Sequence, residues 1–280
     1  MIYTFYRRRF HAMEVISMQA ALKKFNYLDL QLYHLGYARL DPQWHGSDSV
    51  YPVNRLYLPS SGSAIIKVGM QEITMEQGYA YLIPPGAVLD YACPEEMEKI
   101  YIHFNLYRPD RYDVLQGKSM IYTIPFSKEN YDRLLACALR GTMEDTLFIR
   151  EMMYQLIARY QSTFSLISEE VPIYSRLVMN TITTIQQNLS ANLALEDLAR
   201  QNFISRSTLA EQFKREVGLS LGKYIDDQLM SAAQRMLCQT TKSIGEISAA
   251  LGYSNQCYFS RRFKQLCHMT PQLYRIRNKV

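Results

Sequence analysis

Two segments fifty residues apart carry the same residue types at the same steps: Ser205, Leu209 and Phe213-Lys214, then Asn255, Phe259 and Phe263-Lys264. Ser205 and Asn255 are residue types that cap a helix by accepting bonds from the free N–H groups of its first turn. Apolar residues four and eight positions after each cap bury one face of the helix. The opposite face then carries Arg206, Ser207, Ala210, Glu211 and Lys214 in the first copy, and Gln256, Cys257, Ser260, Arg261 and Lys264 in the second. Laid in the major groove of a duplex, such a face has definite chemistry. An arginine at the slot of Arg261 bonds bidentately to guanine O6 and N7, and the carboxylate of Glu211 can accept from cytosine N4. Lys264, farther along its helix, reaches phosphate.

Each reading helix needs a partner to hold it. Leu195 and Leu198-Ala199 predict a short amphipathic helix before the first, and Ile244 and Ile247-Ser248 predict its counterpart before the second. Each copy also ends alike, with Gly218-Leu219-Ser220-Leu221 before Tyr224-Ile225 and His268-Met269-Thr270-Pro271 before Tyr274-Arg275. Ser220 and Thr270 cap the helix that follows, with Pro271 at a first helical position, where it is tolerated. Leu221 to Leu237 can form one long connecting helix between the copies. Two reading helices on a rigid connector can enter successive major grooves about one helical turn apart. Charge agrees: residues 171–280 hold 14 Lys+Arg against 7 Asp+Glu, a net of +7, whereas residues 1–170 hold 17 against 19. That surplus suits a polyanion such as double-stranded DNA. An ordinary helical bundle would show the periodicity without the duplication, the matched caps or the surplus.

Upstream the pattern is short and β-like. Arg55–Leu58, Ala64–Val68, Tyr79–Ile83 and Lys99–Phe104 are strand-length runs rich in β-branched and aromatic residues, separated by Asp41-Pro42, Ser60-Ser61-Gly62, Gly78 and Pro84-Pro85-Gly86. An antiparallel barrel or sandwich is expected over residues 27–125, after an N-terminal arm at 1–26. Helical spacing resumes with Tyr131, Leu134, Leu135 and Ala138, then with Ile149, Met153, Leu156, Ile157, Tyr160 and Phe164, broken at Gly141-Thr142. This helical hairpin, residues 126–167, has two apolar stripes, more than one hairpin can bury against itself. It is expected to pair two chains as a homodimer, with packing on the barrel as the alternative. Residues 168–172 form a polar linker, and 173–280 the helical domain. The fold class is therefore two-domain α+β.

The first 170 residues hold 17 of the 22 tyrosines. Aromatic faces and phenols suit a pocket for a polyhydroxylated or other polar small molecule. Strand alternation puts Arg55 with Tyr57 on one face and Tyr79 with Tyr81 on one face, while Trp44 lies in the loop 41–45. The candidate effector-binding residues are Trp44, Arg55, Tyr57, Tyr81 and His103.

Catalysis finds little support. His34, His45 and His103 are scattered, no H-x-H pair exists, and Ala87-Val88-Leu89 follows Pro84-Pro85-Gly86, so neither metal nor other cofactor is expected. No phosphate loop, nucleophile elbow or paired catalytic carboxylate stands out. A DNA-tethered enzyme and a constitutive architectural DNA binder are the rival readings. The five cysteines form no CxxC pair and are expected to be reduced thiols. No apolar run reaches the ~18 residues of a membrane helix, and Arg7-Arg8-Arg9 is not followed by a signal-peptide core, so a cytoplasmic location is expected.

At Gly252-Tyr253-Ser254-Asn255-Gln256-Cys257-Tyr258-Phe259-Ser260-Arg261-Arg262-Phe263-Lys264, followed by Met269-Thr270-Pro271-Gln272-Leu273-Tyr274-Arg275, the sequence resembles the AraC/XylS family of bacterial regulators. Gly78–Gly86 and Tyr101–Phe104 look like the cupin-type sensing domain such regulators often carry. The resemblance implies a jelly-roll-like barrel binding a sugar or other small metabolite, two helix-turn-helix motifs, promoter DNA as partner, and most often activation through RNA polymerase. It also implies DNA contacts at Ser205, Arg206, Ser207, Ala210, Glu211, Lys214, Asn255, Gln256, Cys257, Ser260, Arg261 and Lys264. Three residues depart from the pattern. His268 stands where the family usually has glycine, Leu221 replaces a proline, and Phe203 occupies a turn where glycine is frequent.

Overall fold

The computed structural model describes the backbone of residues 7–10, 13–16, 24 and 26–278. Within the segment expected to be a plain arm, β1 (Arg7–Phe10) and β2 (Met13–Ile16) form an antiparallel ribbon with Arg7 opposite Ile16. Most of the rest of that arm lies outside the described residues.

Nine strands follow, more than the four runs picked out above: β3 (Asp29–Leu40), β4 (His45–Val50), β5 (Asn54–Gly62), β6 (Ala64–Val68), β7 (Gln71–Met75), β8 (Tyr79–Ile83), β9 (Val88–Ala92), β10 (Met97–Tyr107) and β11 (Tyr122–Pro125). They make two antiparallel sheets, ordered β11-β8-β5-β10-β3 and β4-β9-β6-β7. Because side chains alternate along a strand, the five-stranded sheet has two distinct faces. Leu56, Leu58, Leu82, Ile100, Ile102 and Phe104 form one core with the helical hairpin. Tyr57, Tyr81, Ile83 and Met97 form another with Ile66, Val68, Met75 and Leu89 of the facing sheet. The second core lies between the two sheets.

The hairpin consists of α1 (Lys128–Arg140) and α2 (Met143–Phe164). Gly141 ends α1 in the left-handed region, and a capping box between Thr142 and Asp145 starts α2. Its inward stripe, including Leu134, Ile149, Met153, Leu156 and Tyr160, is covered by the barrel's own sheet. That packing is the alternative to a second chain as cover for these stripes. Leu139, Met143, Leu147 and Tyr154 remain exposed on the hairpin.

The C-terminal helices are α3 (Arg176–Gln187), α4 (Leu195–Gln201), α5 (Arg206–Val217), α6 (Leu221–Gln239), α7 (Ile244–Ala250), α8 (Gln256–Cys267) and α9 (Pro271–Asn278). They share one core through Leu198, Leu209, Phe213, Tyr224, Leu229, Ile247, Phe259, Phe263 and Tyr274, and Tyr51 and Val53 of the barrel join it. The two domains are also tied by polar contacts. Tyr112 Oη donates to Asp227 at 3.1 Å, Tyr174 Oη donates to Asp110 at 2.7 Å, and Tyr224 Oη donates to the Asp110 carbonyl at 3.0 Å. At the end of β10, Tyr107 Oη accepts from Arg235 of α6 at 3.4 Å. A cleft of about 650 Å³ opens beside this junction, lined in part by Asn105, Arg111, Gln234 and Arg235. Among the described residues, no helix is long and apolar enough to cross a membrane.

Candidate nucleic-acid interface and barrel lumen

The two reading helices start from equivalent caps. Ser205 Oγ accepts from Thr208 N–H at 3.1 Å, and Asn255 Oδ1 accepts from Tyr258 N–H at 2.8 Å. Leu209, Phe213, Phe259 and Phe263 are fully buried, which turns the other side of each helix outward. On α5, Arg206, Ser207, Glu211 and Lys214 are exposed and Ala210 is half-buried. On α8, Gln256, Cys257, Arg261 and Lys264 are exposed and Ser260 is half-buried.

The copies differ in how these groups are held. Arg206 donates to Glu196 of the supporting helix at 2.5 Å. The Glu196 backbone N–H, and then Arg206, hold that carboxyl below its usual range. Ser207 Oγ lies 2.9 Å from Ser205 Oγ. On the second helix, Arg262 is paired with Asp226 of the connecting helix, locking α8 against α6. Arg261 and Lys264 make no ion pair among the described residues, so both cations are available to a ligand.

The departures from the family pattern have a geometric counterpart. Each copy requires a left-handed residue in its turn and another at the C-cap of its reading helix. The first copy uses Phe203 (φ 56°) and Gly218 (φ 83°); the second uses Gly252 (φ 73°) and His268 (φ 60°). Each thus fills one slot with glycine and one with a side chain that finds left-handed backbone costly. Gly252 has a further reason, since a Cβ there would lie 2.0 Å from Ser190 Oγ. Leu221, in the place of a proline, is the first residue of α6 and is buried, with Ser220 as the N-cap.

The barrel brings the five sequence-chosen pocket residues onto the interior side. Cross-strand register sets Tyr81, Tyr57, Tyr101 and Gly36 in one row across β8, β5, β10 and β3. The next row holds Ile83, Arg55, His103 and His34. Gly36 is needed because the Tyr101 ring lies where a Cβ would point, 2.4 Å from its nearest atom. Trp44 stands immediately before β4, its ring 4.4 Å from that of Tyr91. Lys99 was missed by sequence reasoning. It is in phase with Tyr101 and His103 on β10, and its ammonium lies 3.5 Å from the centre of the Tyr57 ring and 4.1 Å from that of Trp44. The alternation Lys99-Ile100-Tyr101-Ile102-His103 was the available signal.

Burial dominates the electrostatics of this wall. It pushes the Lys99 amine well below its ordinary range, with help from the Arg55 charge. It also lowers His103 to about 3, with Arg55, His34 and Lys99 acting in the same direction. Among the described residues, no group of His, Cys, Asp or Glu could hold a metal ion.

Comparison with known proteins identifies the helical domain. The helix-turn-helix domain family matches residues 198–277. The Transposon Tn10 TetD protein of Escherichia coli is 30% identical over 44% of this chain and 91% of its own length. The lactose operon transcription activator of Staphylococcus xylosus is 28% identical over 50% of this chain, which spans about half (52%) of that protein. The arabinose operon regulatory protein of Escherichia coli is 23% identical over 79% of each chain. That last match is longer than the helical domain and so includes part of the barrel.

Proposed function

This chain belongs to the AraC/XylS family of transcriptional regulators, and from that premise we propose that it reads promoter DNA with both α5 and α8 and responds to a small-molecule effector in the barrel. It is a regulator with a helix-turn-helix DNA-binding domain, not an enzyme. The observation that carries the proposal is the pair of equivalently capped, outward-facing helices on a net-basic domain, held by the 19-residue helix α6. Arg261 and Lys264 of α8, with Gln256, Cys257 and Ser260, and Arg206, Ser207, Ala210, Glu211 and Lys214 of α5 are the proposed contact residues, with Ser205 and Asn255 at the helix starts. Fluorescence anisotropy of the full chain on duplex promoter DNA tests this. Binding should be strong at ~50 mM salt and fall steeply towards ~200 mM, because neutralised phosphates release counterions. Salt-independent binding, or none, contradicts it.

The effector reading draws on two relatives named for sugar operons and on the aromatic wall of the lumen. Trp44, Arg55, Tyr57, Tyr81 and His103, with Lys99, are the proposed effector contacts. A route to the DNA-binding domain is at hand, since β10 carries Lys99, Tyr101 and His103 and ends at Tyr107, which meets Arg235 of the connecting helix. A ligand that draws β10 differently in two states would shift the placement of α5 and α8. The name of the lactose relative favours activation, with RNA polymerase as the partner at the promoter. The exposed Leu139, Met143, Leu147 and Tyr154 support pairing of two chains through the hairpin. Light scattering that gives a monomer with and without DNA removes that part.

A further inference from the structure

We propose that the barrel lumen recognises an oxyanion on a small polyhydroxylated molecule, the carboxylate of a sugar acid or the phosphate of a sugar phosphate, gripped by Arg55, Lys99 and His103. The proposal rests on the reading of the lumen as the effector site and narrows it to a chemical class.

Three basic side chains converge there, and each is only 3% exposed. Arg55 and His103 are direct cross-strand partners, and Lys99 lies on the same face of β10, one inward-facing residue beyond Tyr101. None of them is in an ion pair among the described residues. Asp113, a buried carboxylate near this wall, is already committed: it accepts from Asn54, Asn105, Leu106 N–H and Leu115 N–H at 2.7–2.8 Å. Arg55 donates to neutral acceptors, among them Ser49 Oγ and the Ala87 carbonyl, both at 3.3 Å, and its guanidinium lies 5.9 Å from the centre of the Tyr51 ring. Its Nε and the Nδ1 of His103 are buried without a hydrogen-bond partner.

A buried charge without a counter-charge is costly, and a buried polar atom without a partner adds to that cost. Most buried polar groups in natural proteins are satisfied by protein, ordered water or a bound ligand. A neutral sugar hydroxyl would satisfy Nε or Nδ1 but leave the positive charge uncompensated. An oxyanion answers both needs, accepting several charge-assisted bonds at once. Lys99 now lies over the rings of Tyr57 and Trp44, and its movement towards the anion would free those faces for the body of the ligand. Lys99, whose amine burial disfavours as a cation, would regain its proton beside the anion.

Titration calorimetry on the full chain with glucose, glucuronate and glucose 6-phosphate tests this on one ring with three head groups. At least one charged probe should bind with a Kd at least tenfold below that of glucose, and which one does so separates carboxylate from phosphate. Lys99→Met should raise that Kd tenfold or more, Arg55→Gln likewise, and Arg55→Lys should retain part of the binding. Thermal melts and DNA affinity of each variant check that it remains folded. Glucose binding as tightly as both charged probes overturns the oxyanion and leaves the effector reading standing. A charged probe that binds undiminished to folded Lys99→Met and Arg55→Gln also overturns it. If none of the three binds, the oxyanion proposal falls together with the sugar-type effector reading, and the DNA-binding reading is untouched.

Discussion

Arg206, the first residue of one reading helix, is ion-paired to Glu196 of the helix that supports it, whereas Arg261 on the other reading helix has no such partner among the described residues. The duplicated unit is therefore asymmetric in the charge it offers to DNA. Glu196→Gln should release Arg206 and remove one negative charge from the interface. DNA binding in a low-salt titration is expected to tighten modestly, because an exposed ion pair is weak and screened by salt. Weaker binding would mean that the pair serves to aim Arg206 at the DNA.

Arg261→Ala and Lys264→Ala should separate base reading from phosphate contact. The first is expected to cost ~1–3 kcal/mol on the preferred site and to relax preference at one base pair. The second should weaken all sequences about equally and reduce the salt slope by about one phosphate's worth. Parallel binding-site selections on both variants check this. An unchanged preference in Arg261→Ala would reassign that side chain to phosphate.

Phe203 is 95% exposed at φ 56°, so its side chain contributes little packing in return for left-handed backbone. Phe203→Gly should stabilise the chain by up to about 1 kcal/mol, the relief of left-handed strain less the added entropy of the unfolded glycine. His268→Gly should act in the same direction, while Gly252→Ala should destabilise through the Ser190 contact. Thermal melts on the three variants decide this, and a fall in melting temperature for Phe203→Gly would contradict it.

These positions also show how far the sequence could be read. The caps at Ser205 and Asn255 and the buried Leu209 and Phe259 follow from local rules of backbone and side chain, so they were legible, while the slots at Phe203 and His268 stood out only against the family resemblance. The Arg206–Glu196 pair was not, because it depends on how the two helices cross. The long strand β3 escaped because its exposed edge alternates weakly around Gly36, whose role is to admit the Tyr101 ring. Lys99 escaped for a different reason: a lysine in a strand reads as solvated until the facing sheet is known to cover it. The hairpin's apolar stripe was visible, and its packing on the barrel was one of two alternatives that periodicity alone does not separate.

His103 gives a pH dependence with a definite sign. Its folded value, about 3, lies below the ordinary 6.5, and the charges acting on it come from Arg55 on β5, His34 on β3 and Lys99 on β10, with the rings of Tyr51 and Tyr101 alongside. The unfolded chain therefore binds the proton first. The stability is present above about pH 6.5 and is lost as pH falls towards about 3, by about 2 kcal/mol between pH 7 and pH 5. Denaturant unfolding at both pH values, with His103→Gln as control, measures it. A drop of the same size in the control would assign the effect elsewhere.

The central claim is that α5 and α8 read DNA together, and selection of bound sites from a random duplex pool by the full chain tests it most directly. The account expects two short preferred elements about 10 base pairs apart, centre to centre, one for each reading helix on the same side of the duplex. Enrichment of a single element, or of none despite binding, would contradict it.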